Sequence, residues 1–277
     1  MLAVDLLLDP FDATWPDLRD AALVAEEQGF DGIWTWDHLA GQAHDADRVL
    51  ECWTILSALA AVVPRVMLGP LVLNVANRRP GVLATAAATL QEVSGGRLLL
   101  GLGAGGGRGL PYPLEQEATG VTVPGDRVRR AQVAEAIGVM RQLWTGEARP
   151  FAGEHYSLGT GRGFIVPEPA PPIIVGAFGP KMATLAGELG DGINTHAGSP
   201  ALVDLLDTAR AAHAASGRDP ADFIVTLSAP FAPATFEPSR VEAFEAMGVD
   251  RIVLLVHAPY DRDAIRDAGA RLASVRR

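Results

Sequence analysis

Four stretches of this 277-residue chain repeat one arrangement: a helical run, a glycine, then an aliphatic strand. They read AEEQGFDGIWTW (25–36), LQEVSGGRLLLGLG (90–103), AGELGDGINT (186–195) and FEAMGVDRIVLLV (244–256). A glycine just past a helix can adopt the left-handed conformation that closes it. The short polar bridge and buried strand that follow suit a helix-to-strand connection in a parallel sheet. Filling the gaps predicts eight strands, at 2–8, 30–36, 65–73, 97–103, 172–176, 191–195, 222–228 and 251–256. Helical stripes lie between them. Leu18, Ala21, Ala22 and Ala25 share one face, Val133, Ala136, Ile137 and Met140 another, and Ile265, Ala268 and Leu272 close the chain. Pro80 and Pro238 stand where first-turn prolines belong. Eight alternating units predict an α/β fold, a (β/α)8 TIM barrel, over an open doubly wound sheet. The Pro- and Gly-rich segment 147–171 fits neither element and reads as an insertion after the fourth helix, within a single domain covering 1–277.

Composition narrows the function. Hydrophobic residues make up 48% and charged ones 20%, as in ordinary globular proteins. No apolar run reaches the roughly 18 residues that span a bilayer, and MLAVDLLLDP carries Asp5 in place of a basic leader. A formal charge of −10 argues against a general nucleic-acid or anionic-membrane surface. The single cysteine, Cys52, excludes an internal disulfide and fits a reducing cytoplasm. It precedes the core-helix pattern WTILSALAAV and reads as inert packing.

In a barrel of this kind, chemistry gathers at the C-terminal ends of the strands. Strand 2 runs into Asp37 and His38, strand 3 ends near Asn74, and strand 6 ends in Thr195-His196. Strand 4 enters GLGAGGGRG, whose consecutive glycines suit either a flexible loop or close backbone approach to a phosphate. Neither a Rossmann fingerprint nor a P-loop is present. Strand 5 ends in GAFGPK, where Gly176 and Gly179 straddle a turn and Pro180 opens a helix able to receive an anion. Lys181, the sole lysine among 23 basic side chains, sits in that first turn and invites a negative ligand. His38, His196 and His257 all end strands, which admits a metal-dependent hydrolase with Asp37 as a further ligand. Barrel hydrolases of that type resemble one another in an H-x-H after strand 1, which LAVDLLLDPF lacks, so no metal is expected.

Taken together, GFDGIWTWDH, LGPLVLNVANRRPGVLATAAATLQEVSGGRLLLGLGAG, GDRVRRAQVAEAIGVMRQLWTG, F-x-G-x-x-Y at 151–156 and PPIIVGAFGPKMATLAGELGDGIN resemble the luciferase-like monooxygenase superfamily. The Asp-His pair after strand 2 is similar to the branch using the deazaflavin coenzyme F420. The FMN branch often carries Glu-His there. The resemblance implies a luciferase-like barrel, often a homodimer, acting on a small-molecule substrate. It implies a non-proline cis peptide near Leu71-Val72 behind the cofactor ring, with Asn74 close by. Asp37 matches the position that hydrogen-bonds the deazaflavin, and His38 a neighbouring catalytic histidine. Gly105, Gly106, Gly176, Ala177, Gly179 and Pro180 match backbone around the cofactor's phosphate and side chain. Arg78, Arg79 and Lys181 are placed to meet its anionic tail, an inference from charge. The chain departs from F420-dependent sugar-phosphate dehydrogenases, which carry Glu where Gly106 stands and Trp where Gln42 stands. His196 replaces a smaller polar residue and is a second acid–base candidate. The expected activity is F420-dependent hydride transfer, with an FMN- or FMNH2-dependent monooxygenase as the alternative.

Overall fold

A computed structural model describes residues 1–107 and 109–276. Among the described residues, eight parallel strands form the barrel wall. They are β1 (Ala3–Leu8), β2 (Gly32–Thr35), β3 in two pieces (Met67–Pro70 and Leu73–Asn74), β4 (Leu100–Gly103), β5 (Ile173–Gly176), β6 (Gly192–His196), β7 (Ile224–Pro230) and β8 (Arg251–Val256). β1 pairs with both β2 and β8, joining the two ends of the chain. The ring closes where Leu68 bridges Leu98 and the second piece of β3 pairs with β4. The sequence-based expectation of a (β/α)8 barrel therefore holds, with each expected strand in place.

The helices are α1 (Trp15–Glu27), α2 (Cys52–Val62), α3 (Pro80–Ser94), α4 (Pro113–Ala118), α5 (Asp126–Leu143), α6 (Pro180–Leu189), α7 (Leu202–Ala215), α8 (Pro238–Ala246) and α9 (Arg262–Val275). Side chains start several of them. Thr14 accepts the Asp17 N–H at 3.3 Å, Glu51 those of Trp53 and Thr54, and Asp261 those of Asp263 and Ala264. Pro80 and Pro238 do open their helices. Three of the four repeated glycines take positive φ, at Gly29, Gly95 and Gly248. Gly190 does not: its φ is −83°, and a β-carbon there would lie 2.9 Å from Val175 Cγ2. Space, not handedness, makes it glycine.

The buried faces of the helices pack on the outside of the sheet. A second, smaller cluster, Leu7, Trp34, Leu71, Leu99 and Val253, fills the barrel interior. Lower in that interior Asp5, fully buried, accepts from Arg251 Nη2 and Nε at 2.7 and 2.8 Å and from the Trp34 indole N–H at 2.7 Å. The segment after α5, the fourth barrel helix, folds as two small antiparallel ladders, Glu147–Ala148 with Gly161–Arg162 and Phe151–Ala152 with Ser157–Leu158. Glu135 of α5 tethers it by accepting the N–H groups of Glu154, His155 and Tyr156. α4, short and opened by a proline, was not anticipated from the periodicity. No described helix is long and apolar enough to cross a membrane.

Candidate active site

The break in β3 shapes the mouth of the barrel. The Leu71-Val72 peptide is cis, at the position that the resemblance implied. It turns Val72 toward the neighbouring strands, where a β-carbon on Gly103 would lie 2.5 Å from Val72 Cγ2 and one on Gly176 2.9 Å from it. Those two glycines are therefore demanded by the bulge. Above it opens a cleft of about 1090 Å³ at the C-terminal ends of the strands. Its floor is apolar, with Leu7, Leu71, Val72, Val253 and Leu255.

At the end of β2, the Asp37 carboxylate is fully enclosed. Arg78 grips it with two bonds of 2.9 Å, and the Asn74 N–H adds a third at 2.9 Å. Arg78 also bonds Glu51. Burial works against the Arg78 charge, yet the two carboxylates outweigh it and hold the guanidinium more firmly protonated than usual. Asp37 thus fastens β2 to the segment following β3, and Arg78 is spent inside the wall.

His38 points the other way, toward the cleft. Its Nδ1 lies 3.1 and 3.2 Å from the two oxygens of Glu115, which α4 brings in from the far side of the glycine loop. Glu115 also accepts the Leu39 and Ala40 N–H groups. Burial raises its pKa, but the His38 and backbone hydrogen bonds prevail and hold the carboxyl below its ordinary value. An ionised carboxylate only accepts, so Nδ1 carries a hydrogen, and in the neutral imidazole Nε2 is the nitrogen with the lone pair. This is a base with a fixed tautomer.

Beside it stand His44, Trp36 and Tyr112. His44, on a turn of 3-10 helix at Gly41–His44, stacks on Phe11 with ring centres 4.1 Å apart and lies 5.0 Å from His38. Partial burial, then the neighbouring His38, lowers its pKa. Across the mouth, His196 Nδ1 meets Ser228 Oγ at 2.7 Å, and burial lowers its pKa. His38, His196 and His257 each have a separate partner, the last being Asp9 at 2.6 Å.

The glycine loop is backed by Arg129 of α5. This side chain donates to Ala104 O at 2.8 Å, Gly105 O at 2.5 Å and Asp126 at 2.9 Å, while its buried Nε–H has no acceptor among the described residues. Gly105 takes φ +69°, with the Asn74 amide packed where a side chain would start. An orphaned buried N–H on a cation, lying against glycines on the cleft wall, fits an anionic phosphate.

Of the residues singled out from the sequence, Asp37, His38, Leu71, Val72, Asn74, Gly105, Gly106, Gly176, Gly179 and His196 line this one cleft. Ala177, Pro180 and Lys181 do not. Ala177 is buried, its N–H held by Asn194 O at 2.8 Å, while Pro180 and Lys181 are exposed at the start of α6. Sequence reasoning missed Glu115, Arg129, His44, Tyr112 and Asn194. Glu115 and Arg129 sit on helices following an irregular loop, and nothing in their spacing ties them to strand 2 or strand 4. His213, away from the cleft, is buried and its Nε2 meets Asp219 O at 2.9 Å.

Comparison with known proteins agrees with this architecture. The family model described as luciferase-like monooxygenase matches residues 5–270. An F420-dependent glucose-6-phosphate dehydrogenase of Nakamurella multipartita is 37% identical over 183 residues, 66% of this chain and 52% of that protein. An F420-dependent hydroxymycolic acid dehydrogenase of Mycobacterium tuberculosis is 32% identical over 231 residues, 83% of this chain and 59% of that protein. The chain thus spans about half the length of the curated relatives it matches. Among solved structures, an F420-dependent secondary alcohol dehydrogenase in complex with an F420-acetone adduct superposes with a TM-score of 0.86 at 20% identity, covering 100% of this chain and 99% of that one. The barrel, its cis bulge and the match across nearly its whole length place the chain in the luciferase-like monooxygenase family.

Proposed function

We propose that this protein is an F420-dependent oxidoreductase that moves hydride between the deazaflavin ring and a small organic substrate. The observation that carries the reading is the meeting of two features in one cleft of about 1090 Å³. One is the unpaired Arg129 Nε–H beside the glycine loop, suited to a phosphate. The other is the His38–Glu115 pair, suited to a substrate proton. Pockets for drug-sized ligands run to roughly 1000 Å³, so the space fits a tricycle and a second molecule. The F420-dependent relatives support the cofactor.

When bound, the deazaflavin supplies a ring carbon that accepts or donates hydride. The protein's residues then divide the remaining work. Arg129 and the backbone of Gly105 to Gly107 hold the phosphate. Asp37, already saturated by Arg78, acts by fixing Asn74 and the bulge. His38 Nε2 takes the substrate's proton in oxidation, or returns it in reduction, with Glu115 holding the imidazolium. His196, whose pKa partial desolvation lowers, is the second proton-handling group. The same reading takes residues 1–277 as one domain, the protein as a homodimer and the cytoplasm as its setting. These follow the family resemblance and the lone buried cysteine.

Titrating the apo-protein with F420 and with FMN tests the cofactor. Quenching of deazaflavin fluorescence to saturation is expected. FMN binding tightly while F420 does not bind would transfer the reading to a flavin-dependent monooxygenase.

A further inference from the structure

The inner face of β6 and β7 carries two polar pairs in register, on a floor that is otherwise apolar. Asn194 stands opposite Thr226 and His196 opposite Ser228. Strand alternation sends all four to the same side. Asn194 is 2% exposed, yet it lines the cleft.

The orientation of its amide is settled by its neighbours. Nδ2 lies 2.9 Å from Thr226 Oγ1 and 3.4 Å from the Thr226 carbonyl oxygen. A carbonyl cannot donate, so the atom facing it is the NH2. Thr226 Oγ1 spends its own hydrogen on Ile193 O at 3.0 Å and must accept from Asn194. That leaves Asn194 Oδ1 without a partner among the described residues. Asn194 lines the cleft, and with Nδ2 turned toward Thr226 this oxygen is the amide atom left to face it.

A buried lone pair held at a fixed angle asks for a donor. Phosphate dianions and carboxylates offer none and are repelled by it. The surroundings offer no cation for a phosphate at this place: Arg129, the one arginine or lysine lining the cleft among the described residues, serves the glycine loop. The walls near β2 and β5 present Trp36, Tyr112 and Phe178.

We propose that the Asn194–Thr226 pair is the substrate-selecting element, and that it admits an uncharged, largely apolar molecule presenting an O–H or N–H donor, in preference to a phosphate ester. The proposal rests on the oxidoreductase reading for calling that molecule a substrate, while the recognition chemistry follows from the amide itself. A site built to pair a donor discriminates strongly against an analogue that lacks it, because the buried acceptor is then left unpaired.

The experiment uses three probes, 4-phenylcyclohexanol, its O-methyl ether and its phosphate ester, titrated into F420-loaded protein and followed by ligand-observed NMR. The alcohol is expected to bind about 10-fold more tightly than the ether, with no saturable binding of the phosphate ester. Asn194→Leu should abolish the preference for the alcohol. Thr226→Val, which frees the amide to turn its NH2 into the cleft, should narrow it by improving binding of the ether. A merely structural role would not produce that second result. Equal affinities for alcohol and ether, saturable binding of the phosphate ester, binding of none of the probes, or an unchanged preference in both variants would overturn the proposal. Failure of F420 to load would sink the cofactor assignment alone. The probes would then be titrated into the free protein, where the same preference is expected.

Discussion

Asp37 and His38 are adjacent in the chain and do opposite things. Asp37 is sealed by Arg78, Asn74 and Asn77, whereas His38 presents a free nitrogen to the cleft. Replacing His38 with Gln removes the base and should lower turnover about 10²–10⁴-fold with little change in cofactor affinity. Stopped-flow reduction of F420 would read both. Glu115→Gln keeps the shape but releases the tautomer; it should cost less, and it should move the acidic limb of the pH–rate profile for F420 reduction, because a base is lost as pH falls. The carboxyl also carries a stability signature. Because its pKa is depressed in the fold below the ordinary carboxyl value of 4.5, its stabilisation is present above that pH and is lost as pH falls through the lower folded value. Thermal melts at pH 5 and pH 3 should therefore differ less in Glu115→Gln than in the parent. Arg129→Met tests the anion site. A hydrogen bond to a charged group contributes about 1.5–3 kcal/mol, so F420 should bind roughly 10- to 100-fold more weakly. The dephosphorylated deazaflavin riboside should bind unchanged.

Between residues and molecule lies the packing of β3 against its neighbours. Val72 reaches across the ends of β4 and β5 because both strands carry glycine where it arrives. Gly103→Ala or Gly176→Ala puts a methyl within 3 Å of Val72, an overpacking that costs about 1–3 kcal/mol in a filled core. Urea unfolding should show the loss, and Gly176→Ala with Val72→Ala should recover part of it. If the double variant is no more stable than the single one, Val72 is not what makes these positions glycine. The same element-level view explains two earlier readings of the sequence. The glycine cluster around the end of β4 has three separate causes: room for Val72 at Gly103, a positive φ against the Asn74 amide at Gly105, and contact with Tyr112 at Gly106. The Lys181 argument, sound for a charge in a first helical turn, did not foresee that Arg129 from a different helix would line the cleft.

At the scale of the whole barrel, closure joins the first and last strands, and the Asp5–Arg251 pair sits at that seam. Asp5 is fully buried and burial raises its pKa despite two bonds from Arg251. Removing one partner of a buried pair strands the other, at about 3–5 kcal/mol. Arg251→Met should therefore lower the urea midpoint sharply, and adding Asp5→Asn should restore much of it. An Arg251→Met protein as stable as the parent would mean that water reaches Asp5 and the seam is held by backbone pairing alone.

The amino-acid sequence by itself determined the barrel. Alternation of helical stripes and aliphatic strands is a local pattern, imposed at every unit by the need to bury one face, so eight repetitions leave few topologies. It also determined the end of the barrel where chemistry gathers, because Asp37, Asn74, Gly105 and His196 all follow strand signals. Only the tertiary structure decided what those residues do. Whether a carboxylate is free or spent depends on Arg78, 41 positions away. Whether His38 is a base depends on Glu115, 77 positions away, on a helix with no strong pattern of its own. The direction of the Asn194 amide depends on a threonine one strand over. Hydrogen bonds act over about 3 Å and carry no trace in sequence spacing, so their pairing exists only once the strands are side by side.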